Sequence, residues 1–525
     1  MVQDPVFAKA VASIPQRSEK QSDVHKLVGS FVDVGILPQV DSVNSQIIYG
    51  RRGTGKTHVM KVLASVLSAR PNTAVVYVDA RTLGSSNQFS DPNVPLPARC
   101  TALFRDLLAE IYNGLLEYVV NAAPTGANLA LEDLDYLAAA SVESKLVPIS
   151  LSDKRTEKES AKTQAAIGVS AAGPELKAQI EGGAAREVET TTTYASEQSN
   201  RIVFPAISAP VKKILASCDS HLHILIDEWS SIPLDVQPYF AEFLKRSLLP
   251  LEKVTIKIAS LEYRSDFGIH TENAFIGFEM GADISAFLDI DDYYVYDRNP
   301  DAITDSFGDM LVKHLANELP DGYLTSLGIG DGKALASKLF TERKVFQELV
   351  RASEGVARDL INIFSKAYFV AHKKGKEKVE RNAVLEAARQ WFEQDKERNL
   401  DDELRGVLRR ITDEVIGNRR ARSFLLPREL STNRVIQRLF DLRILHLVQR
   451  GYADKDRPRV RYNIYALDYG TYVDLMNTTR RPEMGFDLVE SEDLSEYVVP
   501  FDDKRSIRRI ILTKEYLPIE VEAVV

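Results

Sequence analysis

Residues 47 to 60 read IIYGRRGTGKTHVM, and the spacing of Gly50, Gly55, Lys56 and Thr57 fits GxxxxGKT. No other stretch constrains the fold as much. Such a loop has to lie between a buried strand and a helix, so that its backbone N–H groups close round a phosphate. Glycine is needed where a Cβ would obstruct that approach, and Gly53 adds a further point of freedom. Lys56 is placed to neutralise the β- and γ-phosphates of a nucleotide, and the Thr57 hydroxyl to ligate Mg²⁺. Arg51, Arg52, Thr54 and His58 complete the expected nucleotide-binding set with these residues. Gln46 to Tyr49 supply the strand, and Val59, Val62, Leu63 and Val66 fall on one face of the helix that follows. The helix N-terminus itself favours an anion.

A phosphate loop of this kind needs an acidic partner strand, and HLHILIDEWS provides one. Leu222, Ile224, Leu225 and Ile226 run into Asp227 and Glu228, as a strand buried on both faces would. Asp227 is expected to hold Mg²⁺ through its water shell, and Glu228 to orient and polarise an attacking water. Two more apolar segments, TAVVYVDA (residues 73 to 80) and KVTIKIAS (253 to 260), fit the same parallel sheet.

At 525 residues the chain is too long for one core, and several domains are expected. Its 44% hydrophobic and 27% charged residues are the mixture of a globular protein. No apolar run is long enough to span a bilayer, and the first residues lack the basic start and apolar core of a secretory signal. A cytoplasmic location without membrane attachment is therefore expected. Cys100 and Cys218 have no paired spacing, so neither a disulfide framework nor a zinc site is predicted, and both read as packed free thiols.

The acidic pair, the strand TIKIAS and the downstream EGVARDLINIF together resemble an AAA+ ATPase of the initiator type, related to origin-recognition-complex (ORC) ATPases, over residues 40 to 475. The resemblance implies an α/β fold: a P-loop AAA+ αβα sandwich with a parallel sheet, followed by an all-α lid and a winged-helix domain. It also implies ATP rather than GTP, with the adenine near Phe31 to Leu37. The strand after the acidic pair would end in a polar sensor at Ser260, where the family more often has Asn or Thr. A second sensor falls on Arg358, three residues after Gly355, on a helix striped by Ala357, Leu360, Ile361 and Phe364. Residues 379 to 392, VERNAVLEAARQWF, would close the lid. An AAA+ site is usually completed by a neighbouring subunit's arginine, for which Arg246 and Arg264 qualify by position, so a homo-oligomer is implied.

Residues 403 to 481 hold 17 Lys and Arg against 9 Asp and Glu, in a chain whose net charge is −9. One module therefore suits a polyanion while the rest does not. Its signals run helix, short helix, turn at Ser431, second helix and hairpin, the plan of a winged helix. With the ORC-like resemblance, that module implies duplex DNA as partner. Thr432, Asn433, Arg434, Gln437 and Arg438 would line the groove, and Lys455, Arg457, Arg459 and Arg461 would approach phosphates from the wing. The same arginines fit pairing with acids of this chain or of a protein partner.

The expected division is an N-terminal segment (1 to 40), the ATPase core (41 to 300), the lid (301 to 398), the winged helix (399 to 481) and a tail (482 to 525). A long excursion is expected at about 122 to 204, rich in small residues at its centre. Functionally, the pattern points to an ATP-dependent switch that binds DNA and recruits or remodels partners. Its rivals are a STAND-type signalling or defence ATPase whose winged helix binds no DNA, and a target-selecting ATPase of a transposition system.

Overall fold

The computed structural model describes residues 1–21, 23–84, 87–122, 126–142, 202–272, 274–419, 421–453, 460–471 and 510–517. Three short helices, α1 (Pro5–Ser13), α2 (Val24–Gly29) and α3 (Leu37–Val40), precede strand β1 (Gln46–Tyr49) and helix α4 (Lys56–Ser68), which flank the glycine-rich loop. Next come β2 (Thr73–Asp79), α5 (Leu96–Ala122), α6 (Ala127–Val142), α7 (Phe204–Ser217), β3 (His221–Asp227), α8 (Gln237–Ser247) and β4 (Val254–Ser260). A small hairpin of β5 (Gly268–His270) and β6 (Phe275–Gly277) leads into β7 (Ser285–Asp289).

Five strands form one parallel sheet in the order β2, β3, β4, β1, β7. Because β4 lies between the loop strand and the acidic strand, the carboxyl ends of β1, β4 and β3 sit side by side. Tyr49 is in register with Ser260, and Asp79 with Asp227. Open sheets of this kind bind ligands off that edge. Alternate residues of the central strands serve two cores. Ile224, Ile226, Ile256 and Ile258 pack with α5, α6, α7 and α8, while Ile48, Leu225 and Ala259 pack with α3 and α4. Helices on both faces make this an αβα sandwich, and they explain why β3 and β4 read as nearly unbroken apolar runs.

The excursion expected to begin at residue 122 starts later, because α6 delivers Ala130, Leu134 and Leu137 to the sheet's core. Its small-residue centre falls within 143–201, outside the described residues. Cys100 and Cys218 are buried free thiols. No helix among the described residues is long and apolar enough to cross a membrane.

The second layer is all helical: α9 (Pro300–Glu318), α10 (Tyr323–Ser326), α11 (Gly332–Leu339), α12 (Arg343–Ala352), α13 (Ala357–Lys373) and α14 (Arg381–Trp391). Leu360, Ile361 and Phe364 of α13 are buried in its core, as their spacing predicts. The first residues of the chain join the same core through Val2, Phe7, Ala10 and Val11. Asp4 caps α1 by accepting from the Val6 and Phe7 N–H groups, and the Tyr368 hydroxyl donates to the Val2 carbonyl at 2.8 Å. The N-terminal segment is thus built into the helical layer rather than standing apart.

A π turn at Phe392–Lys396 leads into the third layer, made of α15 (Asp402–Thr412), β8 (Ser423–Pro427), α16 (Arg434–Asp441), β9 (Leu445–Ala453) and β10 (Arg461–Leu467). The strands form an antiparallel sheet in the order β8, β10, β9. Helix, strand, helix and hairpin follow in winged-helix order around one core. Part of the tail contributes to it. Leu425 donates to the Ile510 carbonyl at 2.8 Å, Leu512 donates back to Leu425 at 3.0 Å, and Ile510 and Leu512 are buried there.

Phe7 has no exposure and lies 5.7 Å from the Tyr368 ring, so Phe7→Ala is expected to weaken the helical layer by roughly 3–5 kcal/mol. Chemical denaturation followed by tryptophan emission checks this, since Trp391 belongs to that layer.

Candidate functional site

The loop between β1 and α4 is shaped by two left-handed glycines, Gly53 with φ +88° and Gly55 with φ +103°. Gly53 also permits a close approach, because a Cβ there would lie 2.8 Å from the Arg358 Cβ. The Arg358 N–H donates to the Gly53 carbonyl at 3.0 Å, so the helical layer rests directly on the loop. Lys56 opens α4 and is buried. Its Nζ donates to the Gly50 and Arg51 carbonyls at 2.7 and 3.0 Å. Burial pushes its pKa down, opposed by Glu228 and Asp227. The loop is therefore wrapped round an ammonium group.

Asp227 has no exposure. One carboxylate oxygen accepts from the Tyr77 hydroxyl at 2.7 Å, and the other from the Glu228 N–H at 2.8 Å. Glu228 itself stands in the left-handed region with φ +55°, a strained conformation for a non-glycine residue. Its carboxyl is pushed above the usual range, first by burial and then by Asp227. A carboxyl held so is a better proton acceptor than a free one.

Arg358 lies in the first turn of α13, three residues after a pair of left-handed residues, Glu354 (φ +52°) and Gly355 (φ +76°). A Cβ on Gly355 would meet the Tyr294 carbonyl at 2.1 Å, so only glycine allows this turn. The Arg358 Nε is buried without a hydrogen-bond partner. Burial, with Arg443 nearby, presses its pKa down.

These groups meet at one cavity of about 320 Å³, lined by Arg52, Gly53, Gly55, Lys56, Thr57, His58, Glu228 and Arg358. Three members of the expected set face elsewhere. Arg51 is buried, pairs with Asp291 at 3.1 Å and contacts His446 Nδ1 at 2.5 Å, while Gly50 borders the same small cleft beside Asp441. Thr54 turns inward and donates to the Arg51 carbonyl at 2.9 Å. Ser260 is also displaced from its expected role. Its hydroxyl has no exposure and bonds Ser265, and Leu261 lines the cavity instead.

Other lining residues carried no motif. Gln16, Arg17 and Glu19 cross the cavity mouth, Arg81 enters after β2, and His314 and Asn317 come from α9. Only Arg81 had a signal, its place just beyond an apolar strand. Of the segment predicted to hold adenine, Phe31 and Val32 border a smaller adjoining cavity with His58, Tyr294 and Phe307. Tyr77, which holds Asp227, was not singled out by sequence, since its alternation in β2 reads as packing alone.

Oxygen donors for a hard cation come from Thr57 and Glu228, which line the cavity, with the fully buried Asp227 behind Glu228. Among the described residues no three His, Cys, Asp or Glu side chains cluster as a self-sufficient metal site. That donor set suits Mg²⁺, which keeps several waters and shares phosphate oxygens.

The winged-helix residues divide. Thr432, Arg434 and Arg461 are exposed, and Gln437 is half-buried. Asn433 is buried and caps α16 by accepting from the Val435 N–H at 2.9 Å, so it is not free to read a base edge. Arg438 bonds Asp401 at 2.6 Å. Lys455, Arg457 and Arg459 lie outside the described residues. Of the proposed trans-acting arginines, Arg246 is exposed and pairs with Glu242 at 2.5 Å, and Arg264 pairs with Asp441 of α16 at 2.7 Å.

No family model and no curated protein matches this sequence. Among solved structures, the chain is similar to the Aeropyrum pernix ORC2 protein in ADPNP and ADP complexes, at 12% identity and TM-score 0.31 over 86% of this chain and 92% of that one. It is also similar to the Aeropyrum pernix ORC1 protein in complex with DNA (14%, TM-score 0.31, 89% and 94%). A third is the Thermotoga maritima RuvB Holliday junction branch migration motor (10%, TM-score 0.31, 89% and 98%). These overlays are loose, and the fold is assigned on the strand order and layers described above.

Glu228 carries both backbone strain and a raised carboxyl pKa, so its ionised form costs stability at neutral pH. Glu228→Gln is expected to raise the melting temperature at pH 7. Because the raised folded-state value favours the protonated form, that gain should shrink as pH falls towards the unfolded carboxyl range. Thermal melts of the two proteins between pH 7 and pH 5 check the sign.

Proposed function

We propose that this chain is an ATP-binding and ATP-hydrolysing AAA+ switch that acts on duplex DNA through its winged helix and recruits or remodels partner proteins. The observation that carries the nucleotide reading is the half-buried Arg358 side chain, which lines the same cavity as Lys56 and Glu228 and whose Nε is buried without a partner. A buried unpartnered donor is costly, and a phosphate in the cavity would satisfy it. Loop N–H groups and Lys56 would bind the phosphates, the lysine exchanging its loop carbonyls for phosphate oxygens. Thr57 and Asp227 would hold Mg²⁺, which neutralises charge on the transferring phosphoryl group when bound. Tyr77 fixes the Asp227 carboxylate. Glu228 would orient water and take its proton. Arg358 would contact the terminal phosphate and lose that contact on hydrolysis, so that the helical layer responds to the nucleotide. A cytoplasmic homo-oligomer, with Arg246 or Arg264 reaching a neighbour's site, completes this reading.

The DNA part is supported by the basic surplus of residues 403 to 481 and by the exposure of Thr432, Arg434 and Arg461. A second reading has its own observation. Arg438 is held by Asp401, and Phe440 lies under the Arg51 guanidinium at 5.3 Å. A winged helix packed in this way suits a STAND-type signalling or defence switch, in which it is an internal module. A transposition target-selecting ATPase shares the chemistry and would form filaments on DNA.

Steady-state ATP turnover with and without duplex DNA, at low and moderate salt, separates these readings. For the DNA-coupled switch, turnover rises with DNA, the stimulation falls with salt, and Lys56→Ala and Glu228→Gln each lower turnover at least ~100-fold. Arg434→Glu with Arg461→Glu should abolish the stimulation alone. Turnover lost in both site variants yet indifferent to DNA would favour the signalling switch. The acidic limb of the pH–rate profile should lie above the range of a free glutamate, because ionised Glu228 is the active form and its pKa is raised.

A further inference from the structure

We propose that Arg443, carried by the winged-helix module, is a positioning residue of the nucleotide site that holds the phosphate loop and the Arg358 helix in register. The inference rests on reading the cavity as an ATP site. Arg443 follows α16 in the left-handed region with φ +60°, although it is neither glycine nor asparagine, and it is buried. Strain of this kind persists where surrounding contacts over-determine it, and here the guanidinium has three. Its Nη1 donates to the Arg52 carbonyl of the phosphate loop at 3.2 Å. Its Nε pairs with Asp359 at 3.2 Å, and its Nη2 bonds Asp395 beside the π turn.

Asp359 is the residue next to Arg358, and Arg358 in turn donates its N–H to the Gly53 carbonyl. One side chain from the third layer thus grips the loop at residue 52 and the sensor helix at residue 359. A second clasp runs parallel to it. Arg51 contacts His446 of β9, His446 Nε2 pairs with Asp468 at 3.1 Å, Asp468 pairs with Lys396, and Lys396 returns to Asp359 at 3.1 Å. A lysine at 443 would supply a single point charge where the planar fork spans several acceptors. Docking of the winged helix and binding of nucleotide are then linked, and by thermodynamic necessity each favours the other by the same factor.

The test uses the full chain as wild type, Arg443→Ala, Arg443→Lys, Arg450→Ala and Lys56→Ala, each first checked for folding by circular dichroism and gel filtration. Equilibrium titration with a fluorescent ADP analogue is combined with amide exchange of residues 434–453 with and without ADP. Arg450 is the control because it ties β9 to Glu262 and Asp289 without bonding the phosphate loop. The proposal predicts about tenfold weaker ADP binding for Arg443→Ala, an intermediate loss for Arg443→Lys, and near wild-type binding for Arg450→Ala. ADP should slow exchange in residues 434–453 of the wild type, and that slowing should disappear in Arg443→Ala. Wild-type affinity in either Arg443 variant overturns the proposal. So does an equal loss in Arg450→Ala, which would reduce Arg443 to a docking contact. Should Arg443→Ala not fold, the lysine variant decides by the same criterion. Undiminished ADP binding by Lys56→Ala would instead overturn the reading of the cavity on which this inference rests.

Discussion

A carboxylate with no exposure, Asp359, sits where the three layers of the molecule meet. Left alone, a buried ionised group of this kind would be untenable, and removing one partner of such a pair typically costs about 3–5 kcal/mol. Arg443 from the winged helix and Lys396 from the π turn both pair with it. Together they hold its carboxyl below the ordinary range despite burial. Since Asp359 is fixed to Arg358 by the chain itself, the placement of Arg358 at the cavity depends on a charge balance supplied by residues up to 84 positions away. The relative seating of the layers is therefore an electrostatic condition as much as a matter of apolar contact.

The site is also where the backbone departs from comfortable conformations. Among the described residues five non-glycine residues have positive φ: Asn72 and Asp219, near the starts of β2 and β3, are short polar residues that tolerate it, whereas Glu228, Glu354 and Arg443 adjoin the glycine-rich loop, the acidic strand or α13. Elsewhere the chain obeys its local preferences: Asp4, Asp23, Asn299, Asp331 and Asp401 cap helices with their side chains. Local rules are broken where groups must be aimed, which is the distribution expected of a molecule that stores strain at a working site.

How much of this was legible follows from the range of the interactions. The phosphate loop, the acidic pair and the GxxR turn are short-range signals, since each depends on residues within about ten positions, and all three meet at one cavity. Strand character in β3 and β4 was legible for a similar reason, because burial on both faces leaves no polar alternation. The roles of Arg51 and Ser260 were not legible. Whether a loop arginine faces phosphate or His446 depends on a partner 395 residues distant, and whether a strand-end serine faces the cavity depends on Ser265 drawing its hydroxyl away. The N-terminal residues that line the cavity were invisible for the same reason: Val2 and Phe7 are anchored in the core of the helical layer, and no local pattern encodes it.

The basic surplus of residues 403 to 481 shows why composition overstates a surface. Arg443 is spent on Asp359 and Asp395, Arg422 on Glu354, Arg450 on Glu262 and Asp289, and Arg438 on Asp401. Three of these four link the third layer to the rest of the molecule, so much of its positive charge is spent on carboxylates of the other two layers. A buried or paired guanidinium contributes little to neutralising a polyanion, because a phosphate would first have to displace the carboxylate already bound. Counting charges along the sequence therefore overstates what the module can offer a polyanion.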